Sequence, residues 1–137
     1  MIGRARSIAL AGLAGNVIDI EAHMAASLPA FTIVGLPDAS LQEARDRVRA
    51  AVASSGLTWP NRRITVNLSP ASLPKSGSGT DLGIAVAVLS AAGLVEPRRV
   101  GRQVFLGELG SICNCGALVF HLPRELTTRI TDPKARG

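Results

Sequence analysis

The chain has 137 residues, a formal net charge of +5 at pH 7, a pI near 10.6, and only three Phe and one Trp as aromatics. That length fits one domain with a moderate core, which must be built from Val, Ile, Leu and Ala. No run of about 18 apolar residues occurs, which excludes a helical membrane span, and the basic balance permits a nucleic-acid partner without demonstrating one.

The first 24 residues carry two arginines, an apolar run and small residues, as a signal peptide does. Asn16, Asp19 and Glu21 interrupt the run and it alternates, so it reads as structure rather than an address, with the cytoplasm as the expected location. Residues 3–11 and 15–24 read as strands joined by a turn between Gly12 and Gly15. In the second, Val17, Asp19, Glu21 and His23 fall on one face and Ile18, Ile20, Ala22 and Met24 on the other, the period of a half-buried strand. Pro29 leads into a third strand, AFTIV, ended by Gly35, and three strands with short links predict an antiparallel meander.

A helix follows over residues 36–56, with Pro37 in its first turn and Gly56 as its stop. Leu41, Ala44, Val48, Ala51, Val52 and Ser55 form its apolar stripe, while Gln42, Glu43, Arg45, Asp46, Arg47 and Arg49 form a charged face, with Glu43 and Arg47 at i,i+4. Such mixed charge predicts a solvated face. After Trp59, Pro60 and Asn61, the segment RRITVNLSP is a fourth strand. A second helix, DLGIAVAVLSAA, is apolar nearly all round and is expected to be buried, with Gly83 at a close backbone contact and Gly93 ending it. EPRRVGR reads as a basic loop and QVFLGELG as a fifth strand. The expected class is therefore α+β, a mostly antiparallel sheet of about five strands in the order βββ-α-β-α-β with two helices on one face. No repeat or low-complexity segment is present.

Chemistry concentrates in residues 73–83, LPKSGSGTDLG, between the fourth strand and the apolar helix. Lys75, Ser76, Gly77, Ser78, Gly79 and Thr80 lie just before a helix N-terminus, where free N–H groups and the dipole favour an anion. A nucleotide-binding P-loop places its lysine after the glycines, and no GK[ST] occurs in the chain. A Ser-Lys dyad needs a lysine held neutral in a pocket, and the only other one is Lys134. The plainer reading is a Gly/Ser loop with Asp81 or Thr80 capping the helix. Elsewhere, Cys113 and Cys115 are separated by one residue, which disfavours a disulfide between them, and they lack the second Cys/His pair of a zinc site. The arginines are scattered in small clusters, including Arg62/Arg63, without the interleaved aromatics of a base-stacking surface.

Taken in order, FTIVGLPD, the EARDRVRAA helix, RRITVNLSPASLPKSGSGTDLGIAVAVL and FLGELG resemble the N-terminal domain of the ComM/YifB family, the magnesium-chelatase-like AAA+ ATPases. The resemblance covers about residues 4–110 and implies a fold like the Lon protease catalytic domain, ahead of an ATPase module in a ring-shaped assembly acting on DNA. Against the Lon-type pattern, Asp81 stands where the nucleophilic serine is expected, and a carboxylate there opposes oxyanion formation. The resemblance thus implies the scaffold without catalytic residues, and with no metal or cofactor of its own; ATP and Mg are implied only for the ATPase module. Residues 111–137 depart from the family pattern and read as a divergent or non-native tail, a hairpin through CNCG followed by a short helix, RELTTRI. The expected function is an accessory domain for ring assembly or DNA contact in recombination and branch migration. Its candidate phosphate-binding residues are Arg62, Arg63, Lys75, Ser76, Gly77, Ser78, Gly79 and Thr80. The expected partners are DNA, the ATPase module and other ring subunits, with no membrane. A cryptic Ser/Lys hydrolase and a purely structural protein-protein module remain as alternatives.

Overall fold

The computed structural model describes residues 1–11, 14–35, 37–70, 75, 79–109 and 116–121. Strands β1 (Ile2–Ala11) and β2 (Ala14–Ala25) form a long antiparallel hairpin in register from Ile2↔His23 to Ala11↔Ala14. The alternation of β2 decides its orientation: Ile18, Ile20, Ala22 and Met24 are buried, and Asp19, Glu21 and His23 lie on the opposite face. On that open face directly opposed charges meet, with Arg4 Nε 3.1 Å from Glu21 Oε2 and Arg6 Nε 3.3 Å from Asp19 Oδ1.

The meander expected from the sequence does not form. Strand β3 (Ala30–Val34) pairs in parallel with β4 (Arg63–Ser69), which is antiparallel to β2, so the four-stranded sheet is mixed and ordered β1-β2-β4-β3. The long helical segment between β3 and β4 is the reason, because only a crossover of that size lets the chain re-enter the sheet in the same direction. As an inner strand, β4 buries Ile64, Val66 and Leu68 and leaves Thr65 and Asn67 half-buried.

The crossover is two helices rather than the single one expected, α1 (Ala39–Gln42) and α2 (Ala44–Ser54), broken at Glu43. Asp38, not Pro37, starts the first, its Oδ1 accepting from Leu41 N at 2.8 Å. The predicted stripe survives the break for Leu41, Ala44, Val48, Ala51 and Val52, all buried, while Ser55 is exposed, and Gly56 takes the left-handed conformation that stops α2. Helix α3 (Asp81–Ala91) lies across β1 and β2 and against α2, burying Ile84, Ala85, Ala87, Val88 and Ala91.

Two glycines set how closely α3 approaches the sheet. A Cβ on Gly83 would stand 2.6 Å from Ile20 Cδ1 but 3.8 Å from the nearest backbone atom, Arg6 O, so this glycine admits a side chain rather than the backbone contact expected there. On the strand side, a Cβ on Gly3 would stand 2.0 Å from Ala87 O and 2.4 Å from Ala91 N, both backbone atoms of the helix. The basic loop contains a single helical turn, α4 (Pro97–Val100). Strands β5 (Gln103–Glu108) and β6 (Gly116–His121) then form a separate antiparallel pair, with β5 packed on β1 and α3. The α+β class holds, with two sheets in place of one. Residues 113–115 of the CNCG turn and the RELTTRI helix lie outside the described residues, among which no helix is long and apolar enough to cross a membrane.

Replacing Gly3 by Ala forces β1 and α3 apart against backbone atoms. The expected cost is about 1–3 kcal/mol, read as a lower urea midpoint at unchanged m-value.

Candidate functional site

At the end of β4, the chain turns toward α3 through the segment that the sequence singles out. Lys75 is only 1 % exposed. Its Nζ donates to Leu68 O at 3.3 Å and to Pro70 O, and its backbone accepts from Asp38 N at 3.0 Å. The lysine therefore ties the end of β4 to the start of α1 and faces no solvent. Burial pushes the pKa of its ammonium below the ordinary lysine value. Four residues on, Gly79 O accepts from Gly107 N at 2.9 Å, fastening the segment to β5.

Helix α3 opens on Thr80 and Asp81. Thr80 occupies the cap position but its side chain makes no capping bond, and its buried Oγ1 has no hydrogen-bond partner among the described residues. Asp81 is 0 % exposed, and it does not act as a simple cap either. Its carboxylate accepts a fork from Arg47, at 2.6 Å from Nε to Oδ2 and 3.1 Å from Nη2 to Oδ1, and Oδ2 also accepts from Leu109 N at 3.2 Å. Arg47 Nη2 additionally donates to Ser40 O at 2.7 Å. One carboxylate thus joins α1, α2, α3 and the end of β5, and it sits in the first turn of α3, where the helix dipole favours negative charge.

This geometry corrects the reading of the α2 face as solvated. Arg45, Asp46 and Arg49 are exposed, but the Arg47 side chain is largely buried and only grazes Glu43, at 3.8 Å. The signal that could have found it is Asp81 itself, the lone charge at the head of an otherwise apolar helix, which cannot be buried without a cation.

The described candidate phosphate-binding residues do not converge. Arg62 and Arg63 are exposed at the start of β4, whereas Lys75 is at its end, roughly 20 Å away along the strand. Gly79 is half-buried and Thr80 buried; Ser76, Gly77 and Ser78 lie outside the described residues. On the open sheet face, a groove of about 350 Å³ is lined by Arg4, Arg6, Asp19, Glu21 and Ser69, beside Gly101. Both of its arginines face carboxylates, and hydrogen bonds from Arg4 and then His23 hold the Glu21 carboxyl below the usual range. Among the described residues, no group of three or more His, Cys, Asp or Glu is arranged to hold a metal ion.

Removing one partner of the buried pair leaves the other charged and unmatched. Arg47→Met is expected to cost about 3–5 kcal/mol. Adding Asp81→Leu recovers part of that loss, with a coupling of about 0.5–3 kcal/mol in a double-mutant cycle measured by urea unfolding. For Lys75 the sign follows from its lowered pKa: between that value and the ordinary one the unfolded chain binds more protons. Stability is therefore expected to rise with pH through that alkaline window. Lys75→Met flattens the rise in urea midpoints measured across it.

The family model described as subunit ChlI of Mg-chelatase matches residues 20–119. The chain is 52% identical over 108 residues to the uncharacterized protein Rv2897c of Mycobacterium tuberculosis, covering 79% of this chain and 22% of that protein. It is 43% identical over 98 residues to the uncharacterized protein YifB of Escherichia coli and 41% identical over 98 residues to the competence protein ComM of Haemophilus influenzae. Each of these two alignments covers 72% of this chain and 19% of the relative, so the chain spans about a fifth of the length of the curated relatives it matches. Because the match to the family model runs over well more than half of its residues, the chain belongs to the Mg-chelatase subunit ChlI family, and YifB and ComM are among its relatives.

Proposed function

We propose that this chain is a non-catalytic accessory domain of a ComM/YifB-type AAA+ ATPase, contributing to ring assembly and DNA contact during recombination and branch migration. The observation that carries the non-catalytic part is the Arg47–Asp81 fork. A hydrolytic nucleophile at the head of α3 would need a free hydroxyl and room for a developing oxyanion. That position instead holds a buried carboxylate already committed to Arg47 and Leu109 N. Lys75, the base that a Ser-Lys dyad would use, is bound to backbone carbonyls. ATP and Mg belong, in this reading, to the ATPase module of the longer relatives.

The competence protein named among the relatives supports the DNA part, as does the net charge of +5. Among the described candidate phosphate-binding residues, Arg62 and Arg63 are the exposed ones whose side chains can reach a backbone phosphate.

Fluorescence anisotropy with labelled single-stranded, duplex and forked DNA across a salt series tests the contact. Micromolar or tighter binding is expected, falling with salt and weakening in the Arg62→Ala/Arg63→Ala variant. No binding at low salt would sink the DNA contact and leave assembly as the remaining role.

A further inference from the structure

The fold gathers what the sequence scatters. At the start of the parallel β3–β4 pair, the opposite end from Lys75, a groove of about 180 Å³ is lined by Phe31 of β3, Arg45 and Arg49 of α2, and Trp59 and Arg62 of the linker into β4. The Phe31 and Trp59 rings pack with centroids 5.9 Å apart and planes at 40°, and both are only part-buried. Pro29 and Pro60 stand beside them, restricting the two loop segments that carry the rings.

The charge at this groove is largely uncommitted. The side chains of Arg49 and Arg62 make no ion pair or hydrogen bond with another described residue. Arg45 reaches Asp46 at 3.4 Å, an exposed pair with both partners in water, which is worth little. Glu43 and Asp46 line a neighbouring depression that shares Phe31 and Arg45, so the basic character lies on the Arg49–Arg62 side.

Ligand chemistry can be narrowed by asking which class uses both halves of the groove. A free phosphate uses the arginines and ignores the rings. A neutral apolar ligand uses the rings and leaves the cations without a partner. An acidic peptide again addresses only the charge. A single strand of nucleic acid uses both, one unpaired base stacking on the aromatic pair while its flanking phosphates meet the guanidinium groups. In a duplex those base faces are already stacked. The volume agrees, lying below the roughly 300 Å³ at which drug-sized ligand pockets begin and suiting a single ring system with the backbone passing outside.

We infer that the Phe31–Trp59 pair with Arg45, Arg49 and Arg62 forms a base-stacking subsite for single-stranded nucleic acid. This rests on the DNA-contact reading above and places that contact on the Arg62 end of β4.

Trp59 is the only tryptophan of the chain, so its emission reports on this groove alone. Titrating the full chain with unlabelled oligo(dT) of roughly 12 nucleotides, within the usual site sizes of about 4–16, is expected to quench Trp59 saturably and reversibly with salt. Arg49→Gln and Arg62→Gln should each lower the slope of log K against log salt by roughly 0.7. Trp59→Ala should weaken oligo(dT) binding in anisotropy roughly 5- to 100-fold, and Trp59→Phe should retain most of it. Circular dichroism confirms that each variant is folded, and the two arginine variants decide the matter if Trp59→Ala is not. Equal quenching by duplex DNA, by polyglutamate or by inorganic phosphate would overturn the assignment. DNA binding without quenching, insensitive to Arg49→Gln, would also overturn it while leaving the DNA-contact reading intact; neither binding nor quenching would remove both.

Discussion

The fork between Arg47 and Asp81 is the constraint on which the arrangement of helices depends. Helix α3 is apolar on nearly every side, so burial alone gives it no preferred rotation about its axis. The carboxylate at its first turn supplies one, because a buried charge must meet Arg47 and Leu109 N or be left without compensation. Taking both ions out of water costs about as much as their attraction returns, and what the pair contributes is registry more than net stability. The glycines complete the specification: Gly83 admits Ile20 and Gly3 admits the helix backbone, so α3 seats in one rotation and at one depth.

Much of this was legible from local pattern. The two faces of β2, the buried stripe through Leu41, Val48 and Val52 and the stops at Gly56 and Gly93 each follow from residues a few positions apart. The family was legible for a different reason, since several motifs fall in order over one long stretch. What was not legible is partnership across sequence distance. Strand periodicity places the side chains of β3 on two faces but does not name β4 as its neighbour. Arg47 had a nearby Glu43 to satisfy the eye, and its true partner lies 34 residues away. Phe31 and Trp59 belong to segments on either side of a helical crossover, so their pairing exists only once that crossover has folded.

The two ends of β4 consequently differ in kind. At its C-terminal end the chain consumes its own polar groups: Lys75 is spent on carbonyls and Asp81 on Arg47. At its N-terminal end, Arg62 and Arg63 are exposed beside a short loop, and Arg49 projects from the neighbouring helix. Within the segment rich in lysine, hydroxyls and glycine, Lys75 and the adjoining Asp81 both serve the interior.

Strand order carries one more consequence. β3 forms one edge of the four-stranded sheet and has only five residues, entered directly after Pro29. A foreign strand laid along it would find few amides to bond and a proline at the point of entry. Two copies of the domain brought close together therefore gain little by pairing along this border.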